Sequence, residues 1–148
     1  MKDIRNNLLT LLKEGFCTPQ ISKLAKKLKE PSTTIHYNIK KLEKEGAVKA
    51  YKAVLDGKKT DAGFTVFALI NLSPDEYGNP EHIAQALSKY HQVESIDICT
   101  GDWEIVAKIK TKDQESYYEF VKTVLPRRGI IKIKSLTSLK QVKSEFIV

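Results

Sequence analysis

The 148-residue sequence has few cysteines and no long apolar segment. Cys17 and Cys99 lie far apart and lack metal-ligand spacing, so we expect two small core residues and neither a disulfide nor a metal site. No apolar run approaches the roughly 20 residues that cross a bilayer. The first residues also lack the basic start and apolar stretch of a signal peptide. These absences predict a cytoplasmic protein with no membrane contact.

Positive charge is concentrated in the first part of the chain. Residues 1–63 contain 14 Lys and Arg against 7 Asp and Glu, whereas residues 64–148 contain 11 of each sign. This asymmetry indicates a polyanionic partner for the first part, such as a nucleic acid. A lysine-rich surface in contact with water would explain the charge equally well, so the positions of the lysines have to distinguish a nucleic-acid partner from such a surface.

Three short helices are predicted at the start of the chain. Apolar residues at helical spacing predict a first helix that ends at Gly15 and a second that begins after a cap at Thr18. Pro31 ends the second helix, and a third follows until Gly46. In a helix-turn-helix, the second of two such helices lies in the major groove of DNA. We therefore predict a DNA-binding domain over residues 1–47.

The third helix has a polar and basic outer face. With Ile35, Ile39 and Leu42 turned inward, hydroxyl, imidazole, phenol and ammonium groups point outward. Short polar groups near the helix start can read base edges, and the later lysines can pair with phosphates. A polar helix face in contact with water only is the alternative. The predicted DNA-binding residues are Ser32, Thr33, Thr34, His36, Tyr37, Asn38, Lys40, Lys41 and Lys44.

The hydrophobic period changes after the third helix. Alternating β-prone residues predict a strand at 48–54, so residues 48–63 are interpreted as a linker strand and hinge. The second domain, residues 64–148, is predicted to be ferredoxin-like, an α+β fold of order βαββαβ with both helices on one face of an antiparallel sheet. Apolar residues on the open face would favour dimerisation. The predicted elements are strands at 64–72, 93–100, 104–110 and 130–142, and helices at 81–90 and from an Asp113 cap to Pro126.

Three segments resemble the Lrp/AsnC family, the leucine-responsive and feast/famine regulators, and the resemblance covers essentially the full length. LAKKLKEPSTTIHYNIKKLEKEGAVKAYKAVLD, residues 24–56, is similar to the family's recognition helix and following strand. TGDWEI, residues 100–105, is similar to its hairpin, and SLTSLKQVK, residues 135–143, to its final strand. Two residues depart from the family: Asn38 replaces a frequent arginine, and Pro31 replaces the usual serine cap. The second departure suggests that Ser32 takes over capping.

The resemblance implies a winged-type helix-turn-helix followed by a ferredoxin-like (RAM/ACT-like) domain that binds an effector and oligomerises. It also implies homodimers formed through the linker strand and the second-domain sheet, which in the family often assemble further into octamers, with an amino acid bound at a dimer-dimer interface near the hairpin. A glycine turn offers amides for a carboxylate, and acidic side chains can hold an α-ammonium group. An ordinary hairpin turn with a packed tryptophan is the alternative. The effector residues carried over from the family are Gly101, Asp102, Trp103, Glu104, Thr137 and Ser138.

Two other functions stay open beside a sequence-specific transcriptional regulator. Siroheme decarboxylases resemble this family, but their tetrapyrrole site would be expected to draw on histidine and arginine. The second half offers His82, His91, Arg127 and Arg128. No catalytic triad or phosphate-binding glycine loop is visible, so we expect neither an enzyme nor a cofactor. The other alternative is a sensor module whose helix-turn-helix docks on protein.

Overall fold

The computed structural model describes residues 1–144. It divides the chain into two compact units, Met1–Leu55 and Asp56–Val148. The first unit carries 12 Lys and Arg against 5 Asp and Glu, and the second carries 13 of each sign. The net charge of +7 therefore belongs to the first unit.

Among the described helices, none combines the length and apolar character needed to cross a bilayer.

The first unit contains three helices, α1 (Arg5–Glu14), α2 (Ile21–Leu28) and α3 (Ser32–Lys44). Gly15 ends α1 in the left-handed conformation, with φ of 105°, and its N–H donates to the Leu11 carbonyl. A glycine adopts this conformation without steric cost, which is why it stops the helix. The predicted order and spacing of the three helices are confirmed.

The predicted caps of α2 and α3 are wrong. The N-cap of α2 is Gln20 instead of Thr18, and the N-cap of α3 is Pro31, with Ser32 as the first helical residue. Neither helix start is capped by a side-chain hydrogen bond. At α3 the extended proline positions its own carbonyl, which accepts from the Ile35 N–H at 3.1 Å. A proline carbonyl thus begins the helix, and no hydroxyl is needed there.

The strand predicted at residues 48–54 does not form within the single chain. That stretch carries no strand assignment, and it continues into a one-turn 3₁₀ helix, Gly57–Lys59. Its polar groups bond to the helices of its own unit. The Ala53 N–H donates to the Leu12 carbonyl at 3.1 Å, and the Tyr51 hydroxyl donates to Glu43 at 3.2 Å. Within one chain the alternating residues have no strand partner, and the Ala53 N–H bonds to a helix carbonyl instead.

The second unit has the predicted βαββαβ order. Its strands form one antiparallel sheet in the order β2-β3-β1-β4. β4 ends five residues before its predicted end. Its partner strand β1 begins at Phe64, so β1 has no further residues to pair with after the Ser138 N–H has donated to the Thr65 carbonyl. The elements are β1 (Phe64–Leu72), α4 (Pro80–Ser88), β2 (Val93–Ile98), β3 (Ile105–Thr111), α5 (Gln114–Thr123) and β4 (Ile130–Thr137).

The core of the second unit lies between one face of the sheet and the two helices. Alternate residues of β1 and β3, such as Ile70 and Ile105, are completely buried there. Leu87 of α4 and Phe120 of α5 belong to the same cluster. The predicted Asp113 cap is confirmed, since its carboxylate accepts from the Ser116 N–H at 2.8 Å. Both helices therefore pack on the same face.

The opposite face of the sheet is open. Phe67 of β1 is 37% exposed, and its partner in the β4 register, Leu136, is 45% exposed. On the β2–β3 side of this face, Lys108 and Lys110 pair with Glu94 at 3.1 and 3.0 Å. We call the apolar part the open sheet face and define it by Phe67, Leu69, Val106 and Leu136.

Candidate functional site

Helix α3 is held in the first unit by few apolar side chains. Ile35 is 7% exposed and is the buried residue of the helix, and Ile39 is half-buried. Leu42, predicted to face inward, is 43% exposed. A unit of about 55 residues can bury only part of its apolar surface. The helix is therefore anchored mainly through Ile35 and Ile39, and its remaining faces are accessible.

Predicted DNA-binding residues of α3 meet around one open depression. It lies between the start of α2 and the first turns of α3, with Ile21 as its apolar wall. Tyr37 is 70% exposed beside it. The α3 residues that line the depression are Ser32, Thr33, His36, Tyr37 and Lys40.

The start of α3 adds backbone donors to this surface. No described side chain caps the helix, so the first backbone N–H groups are left for solvent or a ligand. Such N–H groups and the positive end of the helix dipole favour an anion. The start of α3 thus offers free backbone amides, and the depression beside it offers hydroxyls, an imidazole, a phenol and an ammonium group.

Asn38 and Thr34 lie outside the depression. The Asn38 side-chain amide donates to the Thr34 carbonyl one turn earlier, at 2.8 Å. This internal bond uses one of the two N–H groups of the amide with which an asparagine would read an adenine edge. Of the predicted residues, Asn38 is the one whose polar group is already engaged within the helix backbone.

The three predicted lysines of α3 differ in their partners. The Lys40 ammonium pairs with Glu43 at 3.0 Å, and Lys41 pairs with Glu45 at 3.9 Å. Among the described residues, Lys44 has no acidic partner within ion-pair distance. Lys44 is therefore available to a phosphate without breaking an internal pair.

Glu43 is a functional candidate that the sequence interpretation missed. Its second carboxylate oxygen accepts from the Tyr51 hydroxyl. The hydrogen bond from Lys40 holds the pKa of Glu43 below its ordinary value. Burial, followed by the nearby Glu43 carboxylate, raises the pKa of Tyr51. The i, i+3 spacing from Lys40 was a visible signal of the ion pair, but the contact with Tyr51 depends on the path of the following segment.

The hairpin between β2 and β3 contains the first group of predicted effector residues. Gly101 has φ of 101°, a conformation that favours glycine at this turn. Asp102 is exposed, and its carbonyl accepts from the Asn71 side chain. Trp103 is half-buried, with the Lys132 ammonium 5.6 Å from its ring centre.

Glu104 ties this hairpin to the end of β1. Its carboxylate accepts from the Leu72 N–H at 2.9 Å and from the Asn71 amide at 3.3 Å. The Leu72 hydrogen bond is the main reason that the pKa of Glu104 lies below its ordinary value. Glu104 therefore has a structural partner, which an α-ammonium group would have to share.

Thr137 and Ser138 lie at the other end of the sheet. In the register of β1 with β4, Thr137 is opposite Val66, and Ile133 is opposite Ile70. The pair of Ile70 with Ile133 lies at the end of the sheet where the hairpin is found. Four residues of strand separate the two rows, which is about 13 Å. One chain thus does not bring Thr137 and Ser138 to the hairpin, and a site that includes both groups needs two chains.

A small cavity of about 220 Å³ adjoins the hairpin. Cys99 contributes to its wall, and Glu104 is its acidic group. Both cysteines of the chain are free and half-buried. The lining residues are Tyr77, Pro80, Ile98, Cys99 and Glu104.

Two of the residues considered for a tetrapyrrole already contact other protein groups. The guanidinium of Arg127 donates to the Tyr90 hydroxyl at 2.8 Å and to the Val124 carbonyl at 3.1 Å, which fixes it against the core. His82 lies 3.6 Å from Glu76. Within residues 1–144, no three His, Cys, Asp or Glu side chains are grouped as metal ligands.

Comparison with known proteins decides the family. The model of the Lrp/AsnC ligand binding domain matches residues 65–148. The chain belongs to the Lrp/AsnC family. It is 32% identical to an HTH-type transcriptional regulator of Pyrococcus abyssi, over 84% of each chain. It is 26% identical to the HTH-type transcriptional regulator FL11 of Pyrococcus furiosus, over 95% of this chain and 90% of that protein.

Solved structures share the fold. An AsnC family transcriptional regulator from Agrobacterium tumefaciens has a TM-score of 0.79 at 23% identity, covering 100% of this chain and 96% of that chain. A transcriptional regulator of Neisseria meningitidis, solved as a complex with L-Met, has a TM-score of 0.78 at 21% identity, with the same coverage.

These relatives are transcriptional regulators and not enzymes. The predicted family, the predicted α+β fold and the prediction of a regulator instead of an enzyme are confirmed by them. As a member of the family, the chain is an HTH-type transcriptional regulator.

Proposed function

We propose that this regulator binds double-stranded DNA in a sequence-specific manner by placing the first turns of α3 in the major groove. One observation carries the proposal: the outward residues of α3 line a single depression in the unit that holds the whole net positive charge. Charge alone would favour any polyanion. Short polar groups at a helix start, followed by lysines, suit a groove in particular.

The proposed roles follow the order of residues along α3. Thr33, His36 and Tyr37 contact base edges, because they stand at the depression near the helix start. Lys40, Lys41 and Lys44 contact phosphates. Ser32 and Thr34 assist at the first turn, and Asn38 has a minor part because its amide is bonded to the Thr34 carbonyl.

The proposal is tested by selecting genomic fragments that bind the full-length protein and then titrating them by fluorescence anisotropy at several salt concentrations. We expect a shared pseudo-palindromic site and an affinity that falls steeply with salt as condensed counterions are released. Absence of duplex binding at low salt would overturn the proposal and favour a module that docks on protein.

The second unit is proposed to dimerise the protein and to bind an amino-acid effector. Support for the dimer comes from the open sheet face, and further assembly to an octamer is part of the proposal. Two structural relatives were solved with methionine, the Neisseria meningitidis regulator and a feast or famine regulatory protein of Mycobacterium tuberculosis. A protein that works on the chromosome is proposed to be cytoplasmic.

The proposed effector site combines the hairpin of one chain with the β4 end of another. Gly101 and the following residues would supply amides and carboxylates, and Thr137 and Ser138 would come from a second chain. Isothermal titration with each L-amino acid tests this site, with Gly101→Thr as the variant that should abolish any heat of binding. Binding that survives Gly101→Thr, or that occurs in a monomer, would contradict a hairpin site shared between chains.

A further inference from the structure

Glu43 is an acidic side chain on the basic side of α3. It follows His36 by seven residues and Lys40 by three, so it shares a side of the helix with them. A negative charge near the C-terminal end of a helix is unfavourable to the helix dipole. On a surface that meets DNA it also repels phosphates. Two contacts offset these costs.

The carboxylate of Glu43 is divided between two partners. One oxygen lies 3.0 Å from the Lys40 ammonium, and the other accepts from the Tyr51 hydroxyl at 3.2 Å. The Glu43 side chain is 30% exposed, against 62% for Lys40. Tyr51 thus holds the carboxylate from the protein side, and the lysine reaches it from the solvent side.

The neighbouring ion pair lacks this arrangement. Lys41 and Glu45 are 3.9 Å apart, and Glu45 is 53% exposed. No hydrogen bond from a tyrosine fixes Glu45 among the described residues. Of the two acidic side chains at the end of α3, Glu43 is therefore the one placed to compete for a specific lysine.

An ammonium group that contacts a phosphate has to leave its carboxylate or share it. Exposed ion pairs are weak, so the competition changes binding by a small factor and does not block it. Phosphate contacts carry no base information, so the factor is the same for every sequence. The competition therefore reduces the occupancy of random DNA, whose non-specific sites far outnumber the specific ones.

We propose that Glu43, held by Tyr51, is a positioning residue that binds the Lys40 ammonium in the DNA-free protein and thereby lowers the affinity for all duplexes. This rests on the proposed function, since it concerns the same DNA-binding surface. Sequence discrimination is left to the residues of the depression.

The test compares the wild type with Glu43→Gln on the selected site and on a random duplex, at several salt concentrations. We expect about two- to fivefold tighter binding of both duplexes. The slope of log K against log salt should steepen by up to about 0.9, the value for one added phosphate contact. A purely structural role of Glu43 would weaken binding and would not steepen this slope.

Matched variants separate the Lys40 contact from a general change of charge. Glu45→Gln removes the same charge two residues away and should give a smaller gain. In a Lys40→Ala background, Glu43→Gln should give no gain. Tyr51→Phe should give part of it. An equal gain in Glu45→Gln or in the Lys40→Ala background, or unchanged binding by Glu43→Gln, overturns the inference.

A measurement without DNA keeps this inference separate from the proposed function. An NMR titration of the Glu43 carboxyl should show its pKa rising toward the ordinary value in Lys40→Ala, because the pair lowers it. An unchanged pKa overturns the inference even where DNA binding is intact. If the wild type binds no duplex, both the proposed function and the effect on DNA fail, while the titration still reports the ion pair.

Discussion

The residues of α3 differ in what they leave free for a ligand, and the sequence predicted part of this difference. The helical wheel placed Thr33, His36, Tyr37 and Lys40 on one side, and the depression brings them together. The internal bond of Asn38 was not predicted, because the same amide could equally have pointed outward. The contact between Glu43 and Tyr51 depends on the path of residues 47–54, which no local pattern fixes.

Tyr37 should contribute to sequence discrimination. It is 70% exposed at the depression and makes no described hydrogen bond through its hydroxyl, so its ring and hydroxyl are available to a base pair. Tyr37→Ala is expected to reduce the preference for the selected site by about 1–3 kcal/mol, with little change on random DNA. Anisotropy titrations of both duplexes measure this preference.

Lys44→Ala is the matched control for this prediction. Lys44 lies further along α3 and is proposed to contact a phosphate. The variant should therefore lower the affinity for both duplexes by the same factor and reduce the slope of log K against log salt by about 0.9. If Tyr37→Ala also lowered the affinity for both duplexes by the same factor, the tyrosine would contribute to affinity and not to sequence discrimination.

At the scale of elements, the sequence predicted those features that depend on neighbouring residues alone. The Asp113 cap was predictable, because an aspartate before an amphipathic stretch satisfies the first N–H groups of its own helix. The strand at 48–54 was not, since a strand needs a ladder partner and this segment instead donates from Ala53 to the Leu12 carbonyl. Long-range pairing decides such a segment, and residue alternation does not.

The Asp113 cap predicts a dependence of stability on pH. The hydrogen bond from the Ser116 N–H lowers the pKa of Asp113 in the folded protein. A group with a lowered folded pKa stabilises the protein above its unfolded pKa and loses this effect as the pH falls through the folded value. Asp113→Ala should therefore lower the Tm at neutral pH, and the difference should shrink in acid.

Thermal unfolding followed by circular dichroism from pH 7 to pH 2 measures this difference. Glu115→Gln, which also removes an acidic side chain in the first turn of α5, is the control. It lacks the hydrogen bond to the Ser116 N–H, so its Tm should stay closer to the wild type. A deficit of Asp113→Ala that is constant with pH would contradict the capping explanation.

At the scale of the whole molecule, a complete pseudo-palindrome and the proposed effector site each call for more than one chain. A helix-turn-helix regulator that reads a pseudo-palindrome presents two recognition helices, one for each half-site. Thr137 lies about four residues of strand from the hairpin end of the sheet, so a shared effector site also calls for a second copy. The sequence suggested such copies through an open face, whose residues the sheet register now identifies.

The open sheet face should hold the dimer together through an isologous contact. Phe67 and Leu136 are neighbours in register, and both project away from the core. Burying them against a second copy removes apolar surface from water, whereas an aspartate there would place two repelling charges near a symmetry axis. Phe67→Asp should therefore give monomers by light scattering, with secondary structure unchanged, because the side chain lies outside the core cluster.

The same variant should also lose affinity for the full pseudo-palindrome while its binding to a single half-site stays near the wild-type value. The two recognition helices of a dimer bind as one unit, and separated chains forfeit that gain in effective concentration. Tyr118→Asp, an equal change at a residue of α5 that is 59% exposed, is the control and should stay dimeric. A Phe67→Asp protein that remains a dimer would place the contact between copies on another surface.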